Sequence, residues 1–490
     1  MSTSLGVRNL TSAPLSIKRI EQFQDPNTAQ SKPSGYLFRS RNITSAIPSA
    51  PKLGEHAGSF KRLDVSITLA PYESHTIDQQ DSLKNDGDEL PAAKITLRLT
   101  IEDAKGSRHR IDTHPSYTQK SSQAFTPLTS ASSSTYTALF HPSRPTAHLA
   151  IHANHLVDYK KWMSTLPDTL PLSAISIPGT HNSHAHYRAL PSVRCQVVDI
   201  ETQLDQGIRF LDIRLQPVHA TDPTKKDLFL VHGAFPNSLT GPKYFAPILQ
   251  TCYTFLAANP TETILMSLKR EGVGSATDQH LAHILAEHYI GPNASQWYTS
   301  PTIPYLGAVR SKLVLVRRYA SPTPTYGLDA TPWPHNSSHA LFPNPNPVFC
   351  LQDFCEVMQP TSIPEKIQHV NAHLVRAAAC QHHIPGVTTD RTNPVPPGPL
   401  YLNFLSASNF WNRGCWPGVI AGRVNKGMEE WLCGGHALGD EMAGVRRKGD
   451  GDAGTGVVVM DFVGEGGDWD MVRLVVGMNM GVLMKVDGTS

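Results

Sequence analysis

The sequence has little charge and almost no excess of either sign. Asp, Glu, Lys and Arg make up 17% of its 490 residues, and the formal net charge is only +2. The chain therefore has no overall field that would attract a nucleic acid or an anionic membrane. Hydrophobic residues nevertheless reach 40%. That share excludes a mostly disordered chain and predicts a folded protein with a substantial core.

Several targeting and cross-linking signals are missing. The amino-terminal segment lacks an apolar run of signal-peptide length, and no stretch approaches the ~18 consecutive apolar residues of a membrane span. The seven cysteines are scattered without a CxxC pair, which argues against a disulfide framework or a structural zinc site. We therefore expect reduced thiols in a cytoplasmic protein that touches membranes only peripherally and transiently.

Residues 1–152 are predicted to form an all-β domain. Short runs with alternating or β-branched apolar residues, such as LDVSITLA and AKITLRLTI, are separated by Pro, Gly, Ser and Asp. No segment here competes with the length and 3.6-residue periodicity of a helix. We expect a sandwich-like module, and its role stays open between packing, protein interaction and lipid docking.

Residues 153–490 are predicted to form an irregular TIM-type (β/α)8 barrel, so the fold class is α/β. Nearly continuous apolar runs are typical of parallel strands buried on both faces. Eight such runs occur, at 173–179, 210–215, 228–233, 263–269, 312–319, 348–354, 400–404 and 457–463. Segments 244–259 and 278–290 have helical apolar spacing. An open doubly wound sheet is the main alternative, but no GxGxxG follows a first strand.

Polar side chains gather where these predicted strands end, which is the catalytic face of a parallel barrel. The candidates are His181, Asn182, Asp212, Arg214, His232, Lys269, Arg318, Asp353 and Asp461. Two histidines can act as base and acid while an arginine holds a phosphate, which suits cleavage of a phosphodiester without a metal. A buried ion-pair network without a catalytic role is the alternative. His184 and His186 are expected at the surface.

Five sequence blocks, in the correct order, resemble the X-type catalytic region of phosphatidylinositol-specific phospholipases C. They are SIPGTHNS (176–183), GIRFLDIRL (207–215), LFLVHG (228–233), NPTETILMSLKRE (259–271) and VVVMDFV (457–463). The chain is most similar to the bacterial-like, single-barrel, metal-independent group, over residues from about 155 to 485. The resemblance implies a phosphodiesterase that cleaves a phosphoinositide or related phospholipid at a membrane surface, giving diacylglycerol and a cyclic inositol phosphate.

The same resemblance implies a role for each candidate residue. His181 matches the general base, Asp461 the carboxylate that orients this base, His232 the general acid and Arg214 the phosphate-binding arginine. Asp212 lies two residues before Arg214 and is expected on the same side of the strand. Lys269, Arg318 and Asp353 match positions that contact the inositol ring. No cofactor is implied.

Asn182 departs from the metal-independent pattern, in which an aspartate at this position assists the general acid. An amide cannot supply the negative charge that raises the pKa of a nearby imidazole. Asparagine here resembles the calcium-dependent members, but Arg214 and Lys269 stand where further carboxylate ligands would be needed. We therefore expect no metal. The alternatives are a catalytically weakened barrel that binds inositol phosphate or lipid headgroups, and a metal-dependent phosphodiesterase of another class.

Overall fold

A computed structural model describes most of the chain, which divides into two compact units. The described residues are 4–24, 60–78, 95–113, 123–130, 133–143, 145–153, 158–222, 224–235, 237–323, 325–343, 348–436 and 451–488. The first unit comprises Met1–Val157, Glu429–Arg447 and Gly466–Asp470, and the second comprises Asp158–Met428, Lys448–Glu465 and Met471–Ser490. The sequence predicted one boundary, after residue 152, whereas in the structure two later segments also join the first unit.

The described part of the first unit is built largely from β-strands. Its ten strands are β1 (Ser4–Leu10), β2 (Leu15–Gln24), β3 (Phe60–Leu69), β4 (Ser74–Asp78), β5 (Ile95–Asp103), β6 (Arg108–Thr113), β7 (Gln123–Ala124), β8 (Thr126–Pro127), β9 (Tyr136–His141) and β10 (Thr146–Ala153). They form two five-stranded sheets, in the orders β4-β1-β10-β9-β7 and β3-β2-β5-β6-β8. Strands β1 and β10 pair in parallel, and the other pairs in these orders are antiparallel.

Both sheets of the first unit contribute to one cluster of buried apolar side chains. Leu99 and Ile101 in β5 belong to it, as do Leu149 and Ile151 in β10. Residues two apart share a face because side chains alternate along a strand. A shared core is what a sandwich-like module requires, and the sandwich arrangement itself stays a prediction.

The second unit is organised around one large sheet. Its strands are β11 (Ile177–Thr180), β12 (Phe210–Pro217), β13 (Leu228–Leu230), β14 (Ile264–Arg270), β15 (Trp297–Tyr298), β16 (Leu313–Arg318), β17 (Leu328–Asp329), β18 (Ser337–Phe342), β19 (Phe349–Asp353), β20 (Leu400–Phe404) and β21 (Val457–Met460). The order is β15-β16-β14-β12-β11-β21-β20-β19-β18, with β13 paired to β12 and β17 paired to β16. Strand β14 begins with five consecutive buried residues and β21 is buried throughout, as expected of strands covered on both faces.

In the described part of the chain, eight α-helices accompany these strands. They are α1 (Ile200–Asp205), α2 (Phe245–Ala258), α3 (Asp278–Ile284), α4 (Leu306–Val309), α5 (Ile363–Ala378), α6 (Pro417–Gly434), α7 (Asp470–Gly477) and α8 (Met480–Val486). The predicted helix at 244–259 is confirmed by α2. The one at 278–290 is confirmed by α3 together with the π-helical turn Leu285–Ile290 that continues it.

The predicted irregular (β/α)8 barrel is corrected in one strand, and the sheet is open at one seam. All eight predicted runs contain a strand, but β13 runs antiparallel to β12 as the second arm of a hairpin. The reason is the connection: residues 218–227 are too few for the crossover of a dozen or more residues that a parallel strand needs. Among the described residues, no strand pairing joins the β16 side of the sheet to the β19 side. The fold is therefore an α/β barrel-type sheet with an open seam.

Parallel pairing sets the carboxyl ends of the central strands side by side. Thr180 of β11 pairs with Met460 of β21, so the next residues, His181 and Asp461, leave adjacent strands at the same level. The ends of β12, β14 and β16 are aligned in the same way, and this alignment carries three cationic side chains. Arg214 pairs with Lys269, and Lys269 pairs with Arg318.

Candidate active site

His181 and Asp461 form a hydrogen-bonded pair at the carboxyl end of the sheet. His181 Nδ1 lies 2.9 Å from Asp461 Oδ1. The Asp461 side chain is 2% exposed and the His181 side chain is 18% exposed. The carboxylate is therefore shielded from solvent, while the imidazole is partly accessible. An ionised carboxylate only accepts hydrogen bonds and cannot donate one. Asp461 therefore holds the proton on Nδ1 and leaves His181 Nε2 free to accept one.

His232 faces His181 across a short gap. The two ring centroids are 6.2 Å apart and the rings are nearly perpendicular, at 87°. His232 Nδ1 lies 2.6 Å from the carbonyl oxygen of Val193 and donates to it, which leaves Nε2 as the other proton-carrying position. Burial lowers the pKa of the His232 imidazole, and the charge of a protonated His181 lowers it further. A proton bound at His232 Nε2 is therefore readily given up.

Arg214 is held between two carboxylates. Its Nη2 donates to Asp212 Oδ2 at 2.8 Å and its Nη1 donates to Glu271 Oε1 at 2.9 Å. Burial alone would raise the pKa of Asp212, but the guanidiniums of Arg214 and Arg318 hold it well below its usual range. The charge of Arg214 is therefore fixed in place, and its orientation is determined by bonds on two sides.

Glu271 is a residue of this site that the sequence prediction did not include. Its Oε1 also accepts from Lys269 Nζ at 3.0 Å, and its Oε2 accepts from the backbone N–H of Gly233 at 2.9 Å. Glu271 therefore ties Arg214 and Lys269 to the turn that carries His232. A signal existed in the sequence: Glu271 lies two residues after Lys269, and so on the same side of an extended chain.

Trp333 contacts both Arg318 and Asp353, two of the residues expected to contact the inositol ring. The sequence prediction did not include Trp333. The guanidinium carbon of Arg318 lies 3.7 Å from the centroid of the Trp333 ring, and Trp333 Nε1 donates to Asp353 Oδ2 at 2.9 Å. Burial lowers the pKa of Arg318 to about 10. Trp333 lies between two strands in a loop without periodicity, so its proximity to Arg318 could not be predicted.

Seven of the nine predicted site residues line one cavity of about 430 Å³. They are His181, Arg214, His232, Lys269, Arg318, Asp353 and Asp461. The other two, Asn182 and Asp212, are buried beside it. The volume lies within the range of small-molecule sites. The lining combines a base held by a carboxylate, a second imidazole and three cations, which is a set of groups able to bind a phosphate and transfer protons around it.

Asn182 does not contact His232. Its backbone has a positive φ of 40°, a left-handed conformation that asparagine tolerates. Its Nδ2 points to the sulfur of Cys195 at 3.8 Å, and its buried Oδ1 has no hydrogen-bond partner in the described part of the chain. Instead, His232 Nδ1 donates a hydrogen bond to the backbone carbonyl of Val193. The carboxylate expected of metal-independent members is thus replaced by a neutral acceptor.

The residues at this position do not fit a calcium ion. Calcium takes roughly six to eight oxygen ligands, and Asn182 Oδ1 and Asp212 are the nearest candidates. Both oxygens of Asp212 already accept hydrogen bonds from Arg214, and Lys269 occupies the adjacent strand position. A cation placed here would meet fixed positive charge.

The surface prediction for His184 is wrong. Its side chain is fully buried, and its Nε2 lies 3.0 Å from the carbonyl oxygen of Val231. Burial lowers the pKa of His184 to about 3, so the ring is neutral. It supports the residue that precedes His232 and does not line the cavity. His186 is partly buried.

The fold and this cavity place the second unit among α/β barrel-type proteins with a polar site at the carboxyl ends of parallel strands. Residues 169–319 match the family model of the phosphatidylinositol-specific phospholipase C X domain. This match supports the resemblance predicted from the sequence blocks.

Known proteins similar to this chain carry corresponding names. A 1-phosphatidylinositol phosphodiesterase of Listeria monocytogenes is 35% identical over 174 residues, which cover 33% of this chain and 49% of the relative. A protein of the same name from Staphylococcus aureus is 30% identical over 174 residues, covering 32% and 51%. The chain thus spans about half the length of these curated relatives.

A solved structure shares the fold. It is a phosphatidylinositol-specific phospholipase C of Staphylococcus aureus, from work on membrane binding. It matches with a TM-score of 0.50 and 22% identity, covering 66% of this chain and 97% of the other. Within the residues that the structure describes, no helix has the length and apolar character needed to cross a bilayer.

Proposed function

We propose that this chain is a phosphodiesterase that cleaves phosphatidylinositol or a closely related phospholipid without a metal ion. The observation that carries the proposal is the cavity in which His181, His232 and Arg214 meet, with the imidazole centroids 6.2 Å apart. The names of the relatives from Listeria monocytogenes and Staphylococcus aureus support the same activity.

Cleavage begins with proton removal by His181. Its Nε2 takes the proton of the inositol hydroxyl next to the phosphate, and the hydroxyl oxygen attacks phosphorus. Asp461, bonded to Nδ1, stabilises the imidazolium that forms. Because the carboxylate is already aligned, little reorganisation accompanies the appearance of this charge.

Cleavage ends with proton donation by His232. The bond between phosphorus and the diacylglycerol oxygen breaks, and His232 Nε2 gives its proton to that oxygen. Arg214, fixed by Asp212 and Glu271, offsets the negative charge that develops on the phosphate oxygens. The products are diacylglycerol and a cyclic inositol phosphate, and the proton taken up by His181 balances the one lost by His232.

The inositol ring is held by the polar groups on the other side of the cavity. Lys269, Arg318 and Asp353 line it and offer two cations and one carboxylate to ring hydroxyls. Trp333 stacks on Arg318 and bonds to Asp353, so it sets the position of both. Selectivity among headgroups then depends on how many substituents of the inositol ring can form hydrogen bonds with these side chains.

Aromatic side chains suited to a lipid surface lie close in sequence to His232 and Ser408, which line the cavity. Phe235 follows His232 by three residues, and its ring stacks on Phe410 at 4.2 Å with an angle of 7° between the planes. The neighbouring Trp411 is 88% exposed. Aromatic side chains favour the boundary between headgroups and acyl chains. We propose that these three residues contact the membrane transiently while substrate enters, in a protein whose cytoplasmic location stays a prediction.

The direct test is product release from phosphatidylinositol vesicles by purified full-length protein. His181→Ala and His232→Ala are each expected to reduce formation of cyclic inositol phosphate by roughly 10²–10⁴-fold, because each removes one proton-transfer group. His369→Ala is the matched control, since His369 lies on α5 and pairs with Glu365. Full activity in both cavity variants would refute the proposal. Tight binding of inositol phosphate without turnover by the unaltered protein would indicate a headgroup-binding barrel instead.

A further inference from the structure

A second group of metal-binding side chains lies outside the catalytic cavity. His339 is on β18, Cys350 is on β19 and His373 is on α5. One ligand atom from each residue lies within 4.8 Å of those of the other two. Cys350 Sγ lies 3.8 Å from His339 Nδ1. None of the three lines the cavity of about 430 Å³.

His373 is the unusual member of this group. Its side chain is fully buried, and neither ring nitrogen has a hydrogen-bond partner in the described part of the chain. Leaving buried polar atoms unpaired is unfavourable, and such a group calls for a ligand that is not protein. Burial lowers the pKa of this imidazole well below its usual value. The ring is therefore neutral, which is the form that binds metal ions.

We propose that His339, Cys350 and His373 form a binding site for Zn²⁺ or a similar transition-metal ion. Two imidazoles and a thiolate are a ligand set that suits zinc, and the group contains no carboxylate of the kind that calcium or magnesium prefers. A water molecule completes a tetrahedral shell. The site is independent of the proposed phosphodiesterase activity.

The geometry allows this coordination with small movements. Zinc binds sulfur at about 2.3 Å and nitrogen at about 2.0 Å, so neighbouring ligand atoms in a tetrahedron lie roughly 3.5 Å apart. The distances between the ligand atoms, which are at most 4.8 Å, must therefore shorten by at most roughly 1.3 Å. His339 is exposed and provides a path from solvent. Cys350 is buried, and its thiol proton passes to water when the sulfur binds the metal.

The positive charge of Arg376 near the proposed site affects metal binding. Arg376, on the same helix as His373, acts electrostatically on both His373 and Cys350. Burial raises the pKa of the Cys350 thiol to about 12, and the positive charge of Arg376, which opposes a bound cation, offsets part of that rise. With one thiolate bound, the Zn²⁺ charge is partly neutralised. The metal would link the β18–β19 hairpin to α5 and so stabilise this side of the second unit.

Cobalt binding tests the proposal on the full chain. Protein stripped of metal with a chelator is titrated with Co²⁺, whose tetrahedral complexes absorb in the visible and whose thiolate bonds give a charge-transfer band in the near ultraviolet. We expect one equivalent to bind with both signals and Zn²⁺ to displace it. Cys350→Ser should abolish the charge-transfer band. His339→Ala, a change at an exposed residue, should weaken Zn²⁺ binding at least ~10-fold.

Two control variants separate this site from other metal binding. His369→Ala removes another histidine from α5 and should leave Co²⁺ binding unchanged. Cys195→Ser tests the group formed by His181, Cys195 and Asp461 at the catalytic cavity, and should also leave the charge-transfer band in place. Loss of the band in Cys195→Ser, its persistence in Cys350→Ser, or its absence from the unaltered protein would each overturn the proposal. Zn²⁺ should also raise the melting temperature of the unaltered protein and not that of His339→Ala.

Discussion

Replacing Asn182 by aspartate tests whether the acid step is limited by missing negative charge near His232. In the structure His232 Nδ1 donates to the neutral carbonyl of Val193, and burial lowers the pKa of the ring. A neutral acceptor stabilises the imidazolium less than a carboxylate does. The protonated form of His232 is therefore lost at lower pH than it would be beside an aspartate. Asn182→Asp introduces that charge with almost no change of side-chain volume.

The size of the effect follows from two distances through Cys195. Its sulfur lies 3.8 Å from Asn182 Nδ2 and 3.9 Å from His232 Nδ1, so the two nitrogens are at most about 7.7 Å apart. Unit charges at that separation interact by about 2 kcal/mol at an effective dielectric constant of about 20. This energy corresponds to a roughly 30-fold larger ratio of protonated to neutral His232. Any protonation of the new, buried carboxylate reduces the gain.

The assay is kcat/KM for phosphatidylinositol as a function of pH. The basic limb reports loss of the proton from the acid, so it should move to higher pH in Asn182→Asp, and activity above that limb should rise by roughly 30-fold. Asn182→Ala removes the amide without adding charge and should not move the limb. Because the two imidazoles are close, the profile describes the pair as a unit. Histidine signals in NMR spectra show whether the His232 ring itself responds.

Two results would refute this reasoning. An unmoved basic limb, with an NMR titration of His232 that shifts as expected, would show that His232 does not donate the proton. An unmoved titration, with an ionised aspartate at 182, would show that the charge does not act on His232 through this buried region. A fall in thermal stability of Asn182→Asp is expected in either case, because burying a carboxylate is unfavourable.

Three further predictions concern other parts of the site. Activity should be unchanged by EDTA, and a loss that Ca²⁺ restores would contradict metal-free cleavage. In a vesicle sedimentation assay, Trp411→Ala should weaken binding to phosphatidylinositol vesicles by roughly 10–100-fold if the indole inserts fully. Its melting temperature should not change, because Trp411 is 88% exposed. Leu128→Ala is the control, since Leu128 is an exposed apolar residue of the first unit. The pKa values of Asp212 and Glu271 are held low in the fold by Arg214, against the effect of burial, so their stabilisation is complete above the unfolded value of about 4 and is lost as pH falls below it. Glu271→Gln should therefore lower stability by roughly 1–3 kcal/mol at neutral pH and flatten its decline in acid, as measured by urea unfolding at several pH values.

Local sequence determined the parts of this protein that depend on short-range pattern. Continuous apolar runs marked the strands of the second unit because such strands are buried on both faces. The polar residues that end those runs marked the site, because parallel strands bring their carboxyl ends to one edge. His181 and Asp461 are 280 positions apart in the chain, yet they lie 2.9 Å apart because β11 and β21 are neighbours in register. The sequence blocks located the strand ends, and the parallel pairing of neighbouring strands brings those ends together.

Tertiary structure alone decided which side chains touch where no periodic pattern operates. The burial of His184, the stacking of Trp333 on Arg318 and the aim of Asn182 at Cys195 depend on loops whose path no short pattern encodes. The direction of β13 depended on the length of a connection, and the open seam depended on which edge strands failed to pair. His339, Cys350 and His373 are separated by 10 and 22 residues, without the spacing of a metal-binding motif. Only the packing of α5 against β19 and its hairpin partner brings them within 4.8 Å, because contacts between elements are set by the whole fold and not by neighbours in the chain.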